Sequence, residues 1–246
     1  MSGNDTADFG FSDVAADRKA ALVGSVFSQV APYYDRMNDV MSLGLHRLWK
    51  NAAVAVAAVR PGMKVLDLAC GSGDLAARLL PQVAPHGKVT LADINANMLA
   101  GARARLRGHL DARYTRCNGE SLPFSSCSFD RVLIGFGLRN VTQRETALAE
   151  MYRVLRPGGL CLIMEFSPPQ GILAPLQRHY LTAILPRLGK RIANDTDSYR
   201  YLGESILRFP DRHRLSSMME VVGFSRVQWL NVAAGAVMLH YGRRLS

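Results

Sequence analysis

From Lys19 to Val59 apolar positions recur three to four residues apart. Val23, Val26, Phe27 and Val30 form one such row, and Leu45, Leu48 and Ala52 another. That spacing puts each row on one face of a helix. Pro32, which lacks a donor N–H, is expected to break the first helix from the second. Ahead of them, residues 1–18 are polar and rich in aspartate, and read as a loose tail.

After Lys64 the rhythm changes to short apolar runs alternating with helical segments. Lys64–Ala69, Lys88–Ala92, Ala112–Cys117, Arg131–Phe136 and Leu160–Phe166 read as five strands. Helices are expected over Leu75–Leu80 (ended by Pro81), from Asn95 to about Arg107, and from about Arg144 to Leu155, stopped by Arg156-Pro157-Gly158-Gly159. The fifth run is apolar almost throughout, as a strand covered on both faces should be. This alternation predicts an α/β fold with a mostly parallel open sheet. Residues 167–210 then form a helical insertion with a stripe at Leu173, Leu176, Tyr180, Ile184 and Leu188. A helix over Asp211–Val222 follows. Two last strands, about Phe224–Val232 and Ala236–Tyr241, are separated by few enough residues to make an antiparallel hairpin. Residues 19–246 thus read as one domain, with residues 19–60 as N-terminal helices.

Composition narrows the class. The chain has 246 residues, 48% of them hydrophobic and 20% charged, so it can bury a full core. The net charge of +10 comes from dispersed Arg and Lys rather than from a basic-aromatic cluster, which argues against nucleic acid as a partner. The four cysteines, Cys70, Cys117, Cys127 and Cys161, form neither a zinc-type spacing nor a disulfide framework, so no metal is expected and a cytoplasmic setting fits. The apolar run Ala52–Val59 is far shorter than the roughly 20 residues of a membrane span.

The chemistry starts at VLDLACGSGD, Val65–Asp74. Gly71-Ser72-Gly73-Asp74-Leu75-Ala76 matches the G-x-G-x-x-A loop that joins a strand to a helix in nucleotide-binding folds. Asp93 ends the second strand 20 residues beyond Gly73, where a carboxylate can accept from both hydroxyls of a ribose. A pyrophosphate would be repelled by Asp67 and Asp74 on either side of the loop. An adenosyl ligand that carries positive charge and no phosphate removes the conflict, so Asp67, Gly71, Gly73 and Asp93 favour S-adenosylmethionine over a dinucleotide. Asn118 and Gly119, at the end of the third strand, are placed to meet the adenine.

The fourth strand ends in IGFGLRNVT, Ile134–Thr142, so Phe136–Asn140 should face the transferred methyl. The Asn/Asp-Pro-Pro-Tyr turn of amino-group methyltransferases is absent there. Ser167-Pro168-Pro169 follows the fifth strand instead, and Cys161 lies within that strand as a core residue. Several longer stretches resemble the UbiE/Coq5 (MenG) family of quinone-biosynthesis C-methyltransferases. They are VFSQVAPYYDRMNDVMSLGLHRLWK (Val26–Lys50), ADINANML (Ala92–Leu99), GFGLRNVT (Gly135–Thr142), MYRVLRPGG (Met151–Gly159), EFSPP (Glu165–Pro169), NDTDSYRYLGESILRFPD (Asn194–Asp211) and GAVMLHYG (Gly235–Gly242). One departure is Gly135, where many relatives carry serine; a side-chain contact to the cofactor is lost there.

The resemblance implies a class I, Rossmann-like S-adenosylmethionine-dependent methyltransferase fold, with a seven-stranded sheet. It implies methyl transfer to a ring carbon of a polyprenylated quinol, 2-methoxy-6-polyprenyl-1,4-benzoquinol or demethylmenaquinol, with no metal. On that reading Ser72, Asp93, Asn118 and Gly119 hold the cofactor, Arg139 and Asn140 hold the quinol oxygens, and Asp197, Tyr199, Tyr201 and His240 are candidate bases, although a histidine in a terminal strand is more often a packed core residue. Arg139 could instead pair with Asp195 or Asp197. The partners expected are the lipid quinol, other quinone-biosynthesis proteins and the inner face of a membrane, met through the insertion and its Arg187, Lys190 and Arg191, against the more ordinary expectation that the insertion's apolar stripe packs on the domain core. The competing readings are an RNA methyltransferase and a non-catalytic protein that binds S-adenosylmethionine within a quinone-biosynthesis complex.

Overall fold

The computed structural model describes residues 6–30, 39, 41, 42 and 44–245. At its start, where a loose tail is expected through residue 18, Thr6–Phe9 (β1) and Ser12–Ala15 (β2) pair antiparallel, and α1 (Ala16–Val30) follows at once. Tertiary contacts supply what local polarity does not. Lys19 is fully buried, and its Nζ donates to Asp8 Oδ1 at 2.7 Å and to the Val141 carbonyl at 3.1 Å. Arg144 holds the other oxygen of Asp8 at 2.7 Å, and the two cations outweigh burial to keep that carboxyl below its usual range. Phe9 stacks on Tyr201 with ring centroids 4.4 Å apart. The break expected at Pro32 lies outside the described residues.

The next helix is α2 (His46–Ala57), and then the strand–helix alternation begins. It runs through β3 (Lys64–Leu68), α3 (Asp74–Val83), β4 (Lys88–Asp93), α4 (Ala96–Arg105), β5 (Ala112–Arg116), β6 (Phe129–Gly135), α5 (Arg144–Val154) and β7 (Leu155–Phe166). The last helix and hairpin are α9 (Arg212–Val222), β8 (Ser225–Asn231) and β9 (Val237–Arg243). Among the described residues the main sheet has seven strands in the order β5-β4-β3-β6-β7-β9-β8. All neighbours from β5 to β7 are parallel, and β9 runs antiparallel between β7 and β8. The mostly parallel sheet with an antiparallel terminal hairpin is as the sequence pattern predicts.

Alternation along the strands explains why both faces are covered. Val65, Leu133, Leu162 and Leu239 meet α2, α3 and α4 through Ala53, Leu79 and Ala102 on one face. Leu66, Val132, Ile134, Cys161 and Ile163 meet α5 and α9 through Leu148, Met151, Leu215 and Met219 on the other. The expected stop at Pro81 does not occur: the proline lies inside α3, exposed, near its last turn. There it forfeits one backbone bond while Leu79, Leu80 and Val83 stay buried in the core. The Arg156–Gly159 stretch is not a plain break either. It is an irregular part of β7, where Gly158 N donates to the Arg244 carbonyl at 2.6 Å.

The insertion between β7 and α9 folds as α6 (Ala174–His179), a π-helical turn Tyr180–Ile184, α7 (Leu185–Ala193) and α8 (Asp197–Arg208). With α1 it roofs the carboxyl ends of β3, β4 and β6. Asn95, the side-chain cap of α4, donates to Gly24 O and Ser28 Oγ of α1 at 3.3 and 3.0 Å.

Removing Asp8 strands a buried cation, whereas Asp13, paired with Arg208 at 2.8 Å, has a side chain 62% exposed. Asp8→Ala should therefore lower stability by about 3 kcal/mol in urea titrations, and Asp13→Ala by less than about 1 kcal/mol. Equal losses would refute the anchoring role of Lys19 and Asp8.

Candidate active site

Two clefts open beneath the roof and share a wall. The first, about 890 Å³, lies over the carboxyl ends of β3, β4, β5 and β6 and is lined by Gly71, Asp93, Met98, Asn118, Gly119 and Asn140, among others. The second, about 960 Å³, is lined by His46, Trp49, Arg139, Phe166, Tyr199 and Tyr201, among others. Phe27 of α1 and Phe136 at the end of β6 belong to both. The pair therefore forms the partition between them.

The local backbone explains the first cleft. After β3 the chain turns through Ala69 at φ 51°, Gly71 at φ 54° and Gly73 at φ 78°, all left-handed. Gly73 is required on two counts: that backbone, and packing, since a Cβ would lie 3.1 Å from Ala102 and 3.2 Å from Leu91. At Gly119 a Cβ would meet only Leu68, at 3.6 Å, so the protein's own packing does not demand glycine there. Asp93 Oδ2 accepts from Gly71 N at 2.9 Å and Oδ1 from Asn95 N at 2.8 Å, tying the end of β4 to the loop. Burial nonetheless leaves its pKa raised.

Of the cofactor positions expected from the sequence, Gly71, Asp93, Asn118 and Gly119 line this cleft. Asp67, Ser72 and Gly73 do not. Asp67 is 1% exposed, and its Oδ2 has no partner among the described residues. Burial pushes its carboxyl up to about 7, against the N–H of Ala76 that favours the charged form, and Asp93 adds repulsion. Asp74 behaves oppositely. Lys50 and Arg78 bind it and outweigh burial, holding it down at about 2. Among the described residues the charged side chains lining the cleft are Asp93 and Glu120, with no Lys, Arg or His. This acidic wall fits a cationic adenosyl group and opposes a pyrophosphate.

The second cleft is mostly aromatic and aliphatic, with its cations tied down. Arg139 is 6% exposed and pairs with Glu165 of β7 at 2.8 Å, not with Asp195 or Asp197. Its Nη1 also donates to the Phe136 carbonyl at 2.5 Å, while its buried Nε has no partner among the described residues. Phe136 itself is left-handed at φ 58°. Asn140 lines the first cleft and accepts from the Tyr201 hydroxyl at 3.0 Å, so it faces the boundary between the two.

The four candidate bases separate. Tyr199 and Tyr201 line the second cleft. Burial pushes the Tyr201 phenol up to about 12, which makes it a donor near neutrality. Asp197 does not line either cleft; its side chain is 90% exposed and faces Arg200. His240 is a core residue of β9 whose Nε2 meets the Arg212 carbonyl at 3.0 Å, and burial lowers its pKa. Sequence reasoning missed His46, Trp49, Lys50 and Glu165 as parts of the site. Lys50 and Asp74 are far apart in the chain, and no local pattern couples them.

The strand order and the acidic cleft at the carboxyl ends of the strands define a class I S-adenosylmethionine-dependent methyltransferase. Solved structures agree on the fold. A SAM-dependent methyltransferase from Aquifex aeolicus superimposes with TM-score 0.62 at 15% identity, over 85% of this chain and 97% of that one. The [4+2]-cyclase SpnF superimposes with TM-score 0.58 at 20% identity, over 77% of this chain and 61% of its own. Sequence comparison is more specific. The ubiE/COQ5 methyltransferase family matches residues 13–244, and the chain belongs to that family. The ubiquinone/menaquinone biosynthesis C-methyltransferase UbiE of Escherichia fergusonii is 50% identical, over 97% of this chain and 96% of that protein. The protein of the same description from Stenotrophomonas maltophilia is also 50% identical, over 98% and 96%. The methyl donor is S-adenosylmethionine.

Asp67 keeps its proton in the folded protein up to about pH 7, whereas in an unfolded chain an aspartate ionises near about pH 3.9. Folding therefore takes up a proton in that window, and this group's contribution to stability falls as pH rises from about 4 to about 7. Urea midpoints for Asp67→Asn and the parent protein should differ progressively across those pH values, with the variant gaining ground toward pH 7. A constant difference would contradict the buried, proton-bearing carboxyl.

Proposed function

We propose that the protein transfers a methyl group to a ring carbon of a polyprenylated quinol, 2-methoxy-6-polyprenyl-1,4-benzoquinol or demethylmenaquinol, in ubiquinone or menaquinone biosynthesis. The observation that carries the reading is the shared wall. A cationic methyl donor fits the acidic cleft, and an aromatic ring fits the apolar one, and among the described residues Phe27 and Phe136 line both. The names of the relatives, 50% identical over nearly the whole chain, support the same substrates.

S-adenosylmethionine supplies an electrophilic methyl on a positive sulfur. The chain's residues supply placement, which in favourable systems contributes about 7–11 kcal/mol of rate acceleration. Asp93 takes the ribose hydroxyls, and Asn118 and Gly119 take the adenine, on a loop shaped by Asp67, Gly71, Ser72 and Gly73. Arg139 and Asn140 hold the quinol oxygens. The Nε of Arg139, without a partner among the described residues, supports this role, because a donor buried without a partner costs about 1–3 kcal/mol until a ligand meets it.

The insertion suits a lipid substrate. Tyr180, Leu181 and Leu185 line the quinol cleft. Of the stripe read in the sequence, Leu173, Leu176 and Ile184 are exposed rather than packed on the core, and Ile172 beside them is 97% exposed. Exposed Arg178, Arg187, Lys190 and Arg191 accompany them. We infer that this face meets an anionic membrane surface and admits the prenyl tail there. Among the described residues no helix is long and apolar enough to cross a membrane.

Mass spectrometry of quinones in a deletion strain should show accumulation of the demethylated species, and the purified protein should methylate the reduced quinol. Arg139→Ala should lower kcat/KM for the quinol at least about 100-fold, the scale of losing one charged, desolvated contact. Unchanged quinones in the deletion strain would refute the substrate. Flotation should show salt-sensitive binding to vesicles rich in anionic lipid, weakened by Leu176→Glu; binding indifferent to salt and lipid charge would remove the membrane contact.

A further inference from the structure

The quinol cleft holds a histidine with the geometry of a base. His46 is the first residue of α2, 7% exposed, and is one of the residues that line the cleft. Its Nε2 lies 2.8 Å from Asp39 Oδ1. An ionised carboxylate only accepts, so Nε2 carries the hydrogen, and in the neutral imidazole Nδ1 then carries the lone pair. That Nδ1 is buried and has no partner among the described residues. Arg47 Nη2 holds the other oxygen of Asp39 at 2.8 Å, which fixes the carboxylate in place.

Among the described residues around the cleft, Glu165, Lys50, Tyr201 and Tyr180 are already engaged by partners. Glu165 receives Arg139 Nη1 at 2.8 Å and Phe166 N at 2.9 Å. Lys50, one turn along α2 from His46, is bound to Asp74. The Tyr201 hydroxyl donates to Asn140, and the Tyr180 hydroxyl donates to the Met41 carbonyl at 3.3 Å.

We propose that His46, oriented by Asp39, is the general base that removes the hydroxyl proton of the quinol. This rests on the quinol reading above. The O–H bond breaks with its electron pair left on oxygen, and the proton goes to Nδ1. The imidazolium so formed keeps its Nε2–H on the Asp39 carboxylate, which stabilises the new charge. The phenolate's electrons form the ring carbon–methyl bond, and the methyl–sulfur pair leaves on sulfur, now a neutral thioether. The ring carbon then loses its hydrogen as a proton and aromaticity returns. His46 gives its proton back to the ring oxygen, so one proton per methyl reaches solvent.

The test uses the full chain, S-adenosylmethionine and a chemically reduced, short-tailed demethylated benzoquinol. His46→Gln should lower kcat by about 10²- to 10⁴-fold, the usual contribution of a positioned base. Its binding of S-adenosylhomocysteine, read by calorimetry, should stay at the parent level and report an intact fold. The acid limb of the parent's pH–rate profile should vanish in the variant, whose residual rate should climb with pH as the quinol ionises unaided. Asp39→Asn should lie between the two. Nitrogen-15 NMR of histidine-labelled parent protein should show His46 as the Nε2–H tautomer.

A variant within threefold of the parent rate and with the same pH profile would overturn the proposal, as would an Nδ1–H tautomer. A parent protein that methylates no quinol at all would instead sink the substrate reading, and the role of His46 with it.

Discussion

The buried ion pair of Arg139 and Glu165 organises the site. Glu165 is 1% exposed at the end of β7, and it receives Arg139 through both the guanidinium and the backbone N–H. A buried carboxylate and guanidinium are tolerated only when both are well satisfied. That requirement pins the Leu138–Asn140 turn against the neighbouring strand. The guanidinium also holds the Phe136 carbonyl, which keeps Phe136 in a left-handed backbone. The aromatic partition, the boundary residue Asn140 and the hydroxyl of Tyr201 all take their positions from this turn.

The two clefts differ in their electrostatics, and the difference suits two unlike ligands. In the first cleft Asp93 and Glu120 are the charged lining, while Lys50, which lines the other cleft, and Arg78 are bound to Asp74. In the second cleft the walls are largely apolar, and Lys50 and Arg139 each already have a carboxylate. A ring entering there leaves water, which strengthens any charge left facing it. The same insertion that walls this cleft exposes apolar side chains on its outside.

The glycine loop, the acidic residue at the end of β4, the strand order and the terminal hairpin could all be read from the chain, because each depends on near neighbours and on a fixed period. Cys161 and His240 were also legible as core residues. The Asp8–Lys19–Arg144 cluster was not. It joins residues 136 positions apart, and the polar stretch around Asp8 resembles a tail until those cations arrive. Asp67 was read as a cofactor contact, yet it lies beneath the loop, out of the cleft. Burial then decides whether that carboxyl carries a proton.

The sequence by itself determined the fold class, the cationic nature of the cofactor and the family. Those follow from periodicity, from carboxylates flanking a glycine turn and from long matching stretches. Only the tertiary structure decided that Arg139 pairs with Glu165, that Phe27 and Phe136 line both clefts, and that His46, held by Asp39, lines the second cleft. Each of these joins separate elements across the roofed end of the sheet. Burial and pairing energies act there between residues whose distance in sequence says nothing of their distance in space.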